Sequence, residues 1–396
     1  MHAPIELTVP PAEPAPIPRQ VARDLGLYVH IPFCVRKCPY CDFVTTPAGA
    51  ATRAAYVDAL CTEIATSPLA GAPVATVFFG GGTPSELEMV HLARIVATLR
   101  AHFTIDPAAE WSIECNPGTV GKDHLAGFRE LGFTRISIGV QSFHDPHLAR
   151  LGRIHTAADA EATVRWAAEV GFHSRNVDLM FGLPDQTLAE WEADLARLLE
   201  LAPEHVSCYQ LTIEEGTEFG RQARAGSLPP IDDELAAEMY EAADRTLAAA
   251  GYAWYEISNW ARPGHLCRHN RRYWENEDCV GFGVSAASYV GGVRWSNVRQ
   301  IGDYTRRIGR GASAIGAWER LTGTHAAGEA LMLGLRTATG IDLPVLAARY
   351  GVSESIYESR VQRFVELGLL EREGTRIRLT SRGRLLANLV CAEFLA

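Results

Sequence analysis

The sequence predicts an α/β protein, a partial (β/α)6 barrel followed by a C-terminal winged-helix-like α+β module. Three observations lead to this fold class. Short apolar runs rich in β-branched residues recur along the chain, and longer stretches with helical spacing of apolar residues separate them. Six such units suit a barrel of parallel strands with crossover helices, although a doubly wound open sheet remains the alternative. The final stretch of the chain has a different order of elements.

The elements can be placed in order along the chain. The predicted strands are 27–31, 74–79, 111–115, 135–140, 176–181 and 205–213, and the predicted helices between them are 53–65, 89–103, 159–172 and 188–201. A Gly- and Pro-bearing segment (224–233) precedes a helix (234–250), aromatic stretches (252–260 and 265–274) and a Gly-rich segment to about residue 325. The chain beyond it predicts three helices, a short β-ribbon and a last helix, an order that resembles a winged helix.

This order divides the chain into four predicted parts. Residues 1–23 hold six prolines within the first 20 positions, without a basic segment followed by an apolar core, which indicates a flexible leader and not a signal peptide. Residues 24–232 form the barrel, 233–325 a connecting segment, and 326–396 the C-terminal module.

Composition excludes several classes of protein. The chain has 396 residues, 47% of them hydrophobic, and a net charge of -10, which argues against a protein that coats nucleic acid. No apolar run reaches the roughly 18 residues that a transmembrane helix needs. Nine cysteines without a secretory signal predict a reducing, cytoplasmic location, with thiols or metal ligands in place of disulfides.

The segment "YVHIPFCVRKCPYCDF" (28–43) contains Cys34, Cys38 and Cys41. Thiolates are the ligands that iron–sulfur clusters use, and three of them leave one iron of a four-iron cubane open to a substrate. The alternatives are a zinc site completed by His30 or another cysteine, and three incidental thiols. Structural zinc sites normally have two separated ligand pairs, and the chain has no second C-x-x-C.

The C-x3-C-x2-C spacing, with Tyr40 before the last cysteine, resembles the radical S-adenosylmethionine (SAM) superfamily. The resemblance implies a [4Fe-4S] cluster on Cys34, Cys38 and Cys41 whose open iron binds the amino and carboxylate groups of SAM. It implies that one-electron reduction cleaves a C–S bond of SAM to give a 5′-deoxyadenosyl radical. It also places Tyr28 near SAM.

Further motifs fit the same resemblance. The glycines of "FFGGGTPS" (78–85) allow the backbone to approach a ligand closely, although a plain strand-to-helix turn is the alternative. The resemblance assigns Gly81, Gly82 and Thr83 to the segment that grips the amino group of SAM.

Polar residues also occur where predicted strands end, the location of ligand groups in barrels. "IECNPG" places Glu114 at the end of the third strand, and "GVQSF" places Gln141 at the end of the fourth. "VDLMFGLP" places Asp178 inside the fifth strand, where an acid is costly unless it is paired; a buried carboxylate bonded to backbone is the alternative. The resemblance implies that these three residues, with Arg153, contact the carboxylate, ribose or adenosine of SAM.

Together these motifs resemble one branch of the superfamily, the oxygen-independent coproporphyrinogen III oxidases and the related heme chaperones called HemW, from about residue 24 to the C-terminus. Two features favour the chaperones. The oxidases carry a further cysteine two places after the third, where this chain has Phe43. They also have a longer ordered N-terminal extension, where this chain has a Pro-rich leader before Leu25.

A third feature is the H-N-x-x-Y-W motif, which the chaperone group uses for heme. Its residues here are His269, Asn270, Tyr273 and Trp274. Imidazole is a common axial ligand of heme iron, aromatic faces can flank the macrocycle, and Arg271 and Arg272 could pair with propionates. The alternatives are Cys267 as a thiolate ligand, and a surface loop whose aromatic residues only pack on the barrel.

The resemblance therefore implies a carrier that binds heme and passes it to apo-hemoproteins such as respiratory-chain enzymes, supported by the cluster and SAM. It implies a homodimer and leaves room for peripheral membrane contact. The alternative is the oxidase, which decarboxylates coproporphyrinogen III to protoporphyrinogen IX. The predicted ribbon has five arginines in "REGTRIRLTSRGR" (372–384), but on an acidic chain we expect a lid or docking role and no nucleic-acid partner.

Overall fold

The computed structural model describes residues 15–19, 21 and 23–395, so most of the predicted leader lies outside the described residues. The strands are β1 (Leu25–Ile31), β2 (Pro73–Gly81), β3 (Thr104–Cys115), β4 (Arg135–Gln141), β5 (Ser174–Phe181), β6 (His205–Gln210), β7 (Ala253–Glu256), β8 (Asn259–Ala261), β9 (Cys279–Phe282), β10 (Ala287–Val290), β11 (Val293–Asn297), β12 (Ile315–Arg320), β13 (Ile341–Asp342), β14 (Leu370–Glu373) and β15 (Arg376–Leu379).

The helices follow the predicted alternation. They are α1 (Ala50–Ala65), α2 (Met89–His102), α3 (Lys122–Glu130), α4 (Asp145–Arg150), α5 (Ala157–Glu169), α6 (Leu188–Leu201), α7 (Glu218–Arg224), α8 (Asp233–Ala249), α9 (Arg268–Trp274), α10 (Ile301–Gly309), α11 (Gly323–Gly334), α12 (Leu343–Tyr350), α13 (Ser355–Glu366), α14 (Ser381–Leu385) and α15 (Ala387–Ala392). In the described part of the chain, no helix is long and apolar enough to cross a membrane.

The six predicted barrel strands lie side by side in chain order, β1 to β6, and each pair is parallel. A doubly wound sheet would reverse its strand order at a switch point. With sequential order, right-handed crossovers place all the connecting helices on one face of the sheet. β1 continues to β9, and β6 to β8, so the six strands do not close on one another. The partial barrel is thereby confirmed.

The two faces of these strands differ because successive side chains point to opposite sides. One set, including Val29, Phe79, Ile113 and Leu179, belongs to the main hydrophobic core beneath the helices. The other set is largely polar or aromatic and includes Tyr28, Phe78, Glu114, Ser137, Asp178 and Tyr209. We call this second side the inner face, and it carries most of the candidate site.

The segment 233–325 supplies six of the strands in the 12-stranded sheet: β7 and β8 extend it beyond β6, and β9 to β12 extend it beyond β1. Near the C-terminus, β13, β15 and β14 form a separate three-stranded sheet. They pack with α11, α12, α13 and α15 around a second hydrophobic core. The predicted last helix is divided at Leu386 into α14 and α15. The three boundaries between the four predicted parts stay predictions.

Candidate functional site

The cysteine loop lies between β1 and α1, at the carboxyl ends of the barrel strands. The amide of Cys34 donates to the carbonyl of Thr46 at 3.3 Å, and the amide of Thr46 donates to the carbonyl of Pro32 at 2.8 Å. The thiols of Cys34, Cys38 and Cys41 are half-buried. Across the described residues, no three His, Cys, Asp or Glu side chains converge on a point for one metal ion. Cluster ligands bind separate irons, so they need not converge in this way.

Polar side chains lie beside the thiols. The Cys34 Sγ lies 3.3 Å from the Thr83 Oγ1, and the Arg153 Nη1 lies 3.8 Å from the Cys38 Sγ. Burial raises the pKa of Cys34, and it raises the pKa of Cys41 to about 11. Iron must therefore displace protons from these thiols when it binds. A small open cleft borders Cys34, Cys38, Thr83 and Arg153.

The glycine triplet follows β2 beside this cleft. Gly81 has a φ of +116°, and a Cβ at this position would lie 2.5 Å from the His30 Cε1. A Cβ at Gly82 would lie 2.7 Å from the carbonyl oxygen of Phe33. The glycines thus permit a close approach between β2 and the start of the cysteine loop, and their contact with a ligand stays a prediction. Thr83 is buried, and its Oγ1 accepts from the Asn116 Nδ2 at 2.7 Å.

Two predicted acids, Glu114 and Asp178, meet on the inner face. The amide of Gly81 donates to the Glu114 Oε2 at 3.0 Å. Burial, and then the negative charge of Asp178, raises the pKa of Glu114 to about 8. Asp178 accepts from the Asn176 Nδ2 at 2.6 Å and from the Ser137 Oγ at 3.2 Å, while burial raises its pKa. The hydrogen bonds to Asp178 therefore come from side chains, whereas the alternative interpretation expected them to come from the backbone.

Gln141 and Arg153 extend the site towards β4. Gln141 is buried at a φ of +72°, and its Oε1 has no hydrogen-bond partner within the described chain. Such an atom is costly unless a ligand supplies a donor. The Arg153 Nη2 donates to the carbonyl of Gly139 at 2.8 Å and also to the Asn116 Oδ1. Asn116 therefore links Thr83 to Arg153. The motif "IECNPG" includes this asparagine, but its sequence did not indicate that role.

Tyr28 and His30 form a hydrogen-bonded pair that contacts the cysteine loop. The His30 Nε2 donates to the carbonyl of Val44 at 3.1 Å, so its Nδ1 accepts from the Tyr28 hydroxyl at 3.1 Å. Burial lowers the pKa of His30 to about 4. His30 is thus a neutral residue with both ring nitrogens satisfied inside the protein.

The H-N-x-x-Y-W motif forms helix α9, not a surface loop, and α9 lies near the other end of the strands. His269 is completely buried, its ring stacks on Phe78 at 5.3 Å, and its Nδ1 lies 2.8 Å from the Thr76 Oγ1. Thr76 precedes Gly80 by four residues on β2, which corresponds to roughly 13 Å of strand. The His269 Nε2 lies 2.9 Å from the Tyr273 hydroxyl, and burial lowers the pKa of His269 to about 3.

The other predicted heme contacts are also engaged within the protein. Arg272 pairs with Asp24, just before β1, and with Glu277, and Arg271 pairs with Glu275, the residue after α9. Burial raises the pKa of Cys267 to about 12. Asn270 is half-buried on α9, as is Trp274. The structure therefore brings together the predicted cluster and SAM residues. It holds His269 away from solvent, with the ring of Phe78 between His269 and the predicted SAM residue Tyr28.

Comparisons with known proteins agree with this geometry. A sequence profile of the Radical SAM superfamily matches residues 28–198, and a profile of the HemN C-terminal domain matches residues 321–386. A Mycobacterium tuberculosis protein named heme chaperone HemW is 38% identical over 386 residues, which cover 96% of each chain. A protein of the same name from Escherichia coli is 36% identical, over 94% of this chain and 98% of its own.

A solved structure is similar over nearly the whole chain. It is the coproporphyrinogen III oxidase (HemN) from Escherichia coli, described as a radical SAM enzyme, with a TM-score of 0.84 and 27% sequence identity. The match covers 95% of this chain and 91% of that one. The barrel and the C-terminal module are thus arranged here as they are in a radical SAM protein.

Proposed function

Because this chain belongs to the HemW family of heme chaperones within the radical SAM superfamily, we propose that it binds heme and transfers it to apo-hemoproteins such as respiratory-chain enzymes. The observation that carries the proposal is similarity to several proteins named heme chaperone, at 36% to 39% identity over 79% to 96% of this chain. The intact H-N-x-x-Y-W helix supports it.

We propose that Cys34, Cys38 and Cys41 hold a [4Fe-4S] cluster, with SAM on its open iron. When bound, this pair supplies one-electron redox chemistry. The half-buried thiols on a loop anchored by backbone bonds, beside an open cleft, support the assignment.

The chain's own residues would then bind and orient SAM. Gly81, Gly82 and Thr83 offer backbone and hydroxyl groups beside the cleft, and Arg153 brings a cation next to Cys38 to pair with a carboxylate. The unsatisfied oxygen of Gln141 suits a donor on the ligand. Further into the inner face, Tyr28, Glu114 and Asp178 provide the acceptors and the ring that ribose and adenine require.

The heme would be cargo and not a resident group, with His269 of α9 as the proposed iron ligand. Phe78, Tyr273 and Trp274 place aromatic faces beside it or on the same helix. We further propose a cytoplasmic homodimer that meets its receiving enzymes at the membrane surface without a spanning segment.

A second candidate is the oxidase activity, which the similarity to the solved HemN structure favours. The phenylalanine at position 43, where the oxidases carry a further cysteine, weighs against it. We therefore rank heme transfer first.

One experiment separates the two functions. The cluster is reconstituted without oxygen, and heme is added to wild type and to a His269→Ala variant, followed by an apo-cytochrome. We expect a Soret band that shifts in the variant, and transfer from wild type. Multiple-turnover formation of protoporphyrinogen IX from coproporphyrinogen III, without heme retention, would support the oxidase instead.

A further inference from the structure

We propose that α9 acts as a latch over His269. Two contacts hold the helix in place, one from Glu110 of the barrel and one from Arg349 of the C-terminal module, and we call this pair of contacts the clamp. Heme reaches His269 only when the clamp releases the helix. The inference rests on the proposed heme function and adds its regulation. It also gives the C-terminal module a role, which the sequence leaves open.

The first observation is that His269 cannot ligate iron in the conformation described. Its side chain is 0% exposed, and both ring nitrogens are taken, by Thr76 and by Tyr273. An axial ligand must present one ring nitrogen to the metal. Heme ligation by His269 therefore requires that α9 move away from β2.

The second observation concerns the start of α9. The first amides of a helix have no partner within the helix, and they favour a negative charge. Here the Glu110 Oε2 accepts from the amide of Arg268 at 3.1 Å, and the Oε1 accepts from the amide of His269 at 3.0 Å. The carboxylate on β3 thus fixes the start of the motif helix to the barrel.

The third observation concerns the other end of the helix. The last carbonyls of a helix lack partners and favour a positive charge. The Arg349 Nη1 donates to the carbonyl of Glu275 at 3.2 Å, and its Nη2 donates to that of Asn276 at 2.7 Å. The Asn276 Nδ2 also donates to the Tyr350 hydroxyl at 3.0 Å. Both Arg349 and Tyr350 belong to α12, so the C-terminal module holds the end of α9.

The two contacts of the clamp come from different parts of the chain, and together they set the fraction of molecules in which α9 is released. If heme binds only the released state, the apparent affinity falls by the fraction of molecules in that state. Weakening the clamp raises this fraction, so heme should bind more tightly. A change in how α12 sits on α9 would then control when heme is taken up or given away.

The test titrates the full chain with ferric heme and follows the Soret band. We expect Arg349→Ala to lower the apparent dissociation constant about tenfold, Arg349→Lys to lower it less because lysine keeps the charge but not the two-pronged donor, and Arg349→Ala with His269→Ala to lose the gain. Arg363→Ala is the matched control, because Arg363 pairs with Glu393 inside the module and should leave the affinity unchanged. If Arg349→Ala fails to fold, Glu110→Gln tests the same prediction from the other end.

The outcomes separate this inference from the proposed function. If wild type binds heme through His269 and a folded clamp variant binds with equal or weaker affinity, the latch is wrong and heme binding stands. If neither wild type nor any clamp variant shows a Soret band that depends on His269, the proposed function fails and the latch fails with it.

Discussion

Gly81 occupies a position where the backbone conformation and the neighbouring ring both require glycine. Its φ is +116°, and an added Cβ would lie 2.5 Å from His30, which is itself bonded to Tyr28 and Val44. We expect Gly81→Ala to weaken SAM binding to the cluster-loaded protein at least about tenfold, because strain would displace the loop that carries the cysteines. Anaerobic equilibrium dialysis with SAM measures this.

Gly121→Ala provides the matched control for that substitution. Nothing lies within 4 Å of a Cβ at Gly121, and its φ of -108° suits any residue. The control should bind SAM as wild type does. Wild-type affinity in Gly81→Ala itself would show that the glycine segment does not shape the SAM site.

Several residues of the site could be anticipated from the sequence and others could not. Glu114 and Asp178 stand out because acids in apolar strands need partners, and the structure brings them together. The partners of His269 had no such signal, since Thr76 lies 193 positions away and Glu110 lies 159 positions away. Such contacts depend on the packing of α9 under the sheet, which local patterns do not encode.

At the scale of elements, the half-buried acid Glu63 joins α1 to the segment beyond β1. The Glu63 Oε2 accepts from the amide of Gly283 at 2.7 Å and from the Tyr304 hydroxyl at 2.6 Å, and the Oε1 accepts from the Asn297 Nδ2 at 2.6 Å. Burial nevertheless raises the pKa of Glu63 from 4.5 to about 7. The folded protein therefore binds this proton more readily than the unfolded chain.

The sign of the resulting pH dependence follows directly. Between pH 4.5 and pH 7 the folded state holds more protons at Glu63, so stability falls as pH rises through this window. The full effect is about 3 kcal/mol. In wild type, we expect the free energy of unfolding measured by urea denaturation to fall between pH 4.5 and 8. Glu63→Gln should remove the part of this fall that Glu63 causes, while Glu192→Gln, at an exposed position on α6, should keep it. Parallel profiles for Glu63→Gln and wild type would refute the linkage.

Element prediction was most accurate where the periodic pattern was strong. The predicted helix 188–201 coincides with α6, whose start carries a capping box of Thr187 and Glu190. The Gly-rich stretch was less informative, because β9 to β12 are short and the pairing of β9 with β1 joins segments far apart in the sequence. Short edge strands rich in glycine have little local signature.

At the scale of the molecule, three arginines of the segment 372–384 form ion pairs with acidic side chains of the protein itself. Arg372 pairs with Glu358, Arg378 pairs with Glu371, and Arg384 pairs with Asp244. Phosphate binding needs concentrated positive charge, and these pairs reduce it. We therefore expect no binding of duplex DNA at 0.15 M salt in a fluorescence anisotropy titration; saturable binding would contradict this interpretation.

Arg384 also connects the C-terminal module to α8. Its Nη2 donates to the Asp244 Oδ2 on α8 at 2.6 Å, and its guanidinium lies 4.5 Å from the centre of the Trp254 ring. We expect Arg384→Ala to lower the free energy of unfolding by about 2 kcal/mol, because it leaves Asp244 without its cation. The exposed Arg382→Ala is the control. Equal stability of both variants in chemical denaturation would show that this contact does not hold the module.

The central claim is that the cysteine loop holds a four-iron cluster with one iron open to SAM. Electron paramagnetic resonance of the anaerobically reconstituted and reduced protein, with and without SAM, tests it most directly. We predict a [4Fe-4S]⁺ signal that changes when SAM is added, and no such signal in a Cys34→Ser, Cys38→Ser and Cys41→Ser variant. A wild-type protein that forms no cluster, or whose signal is unchanged by SAM, would contradict the account.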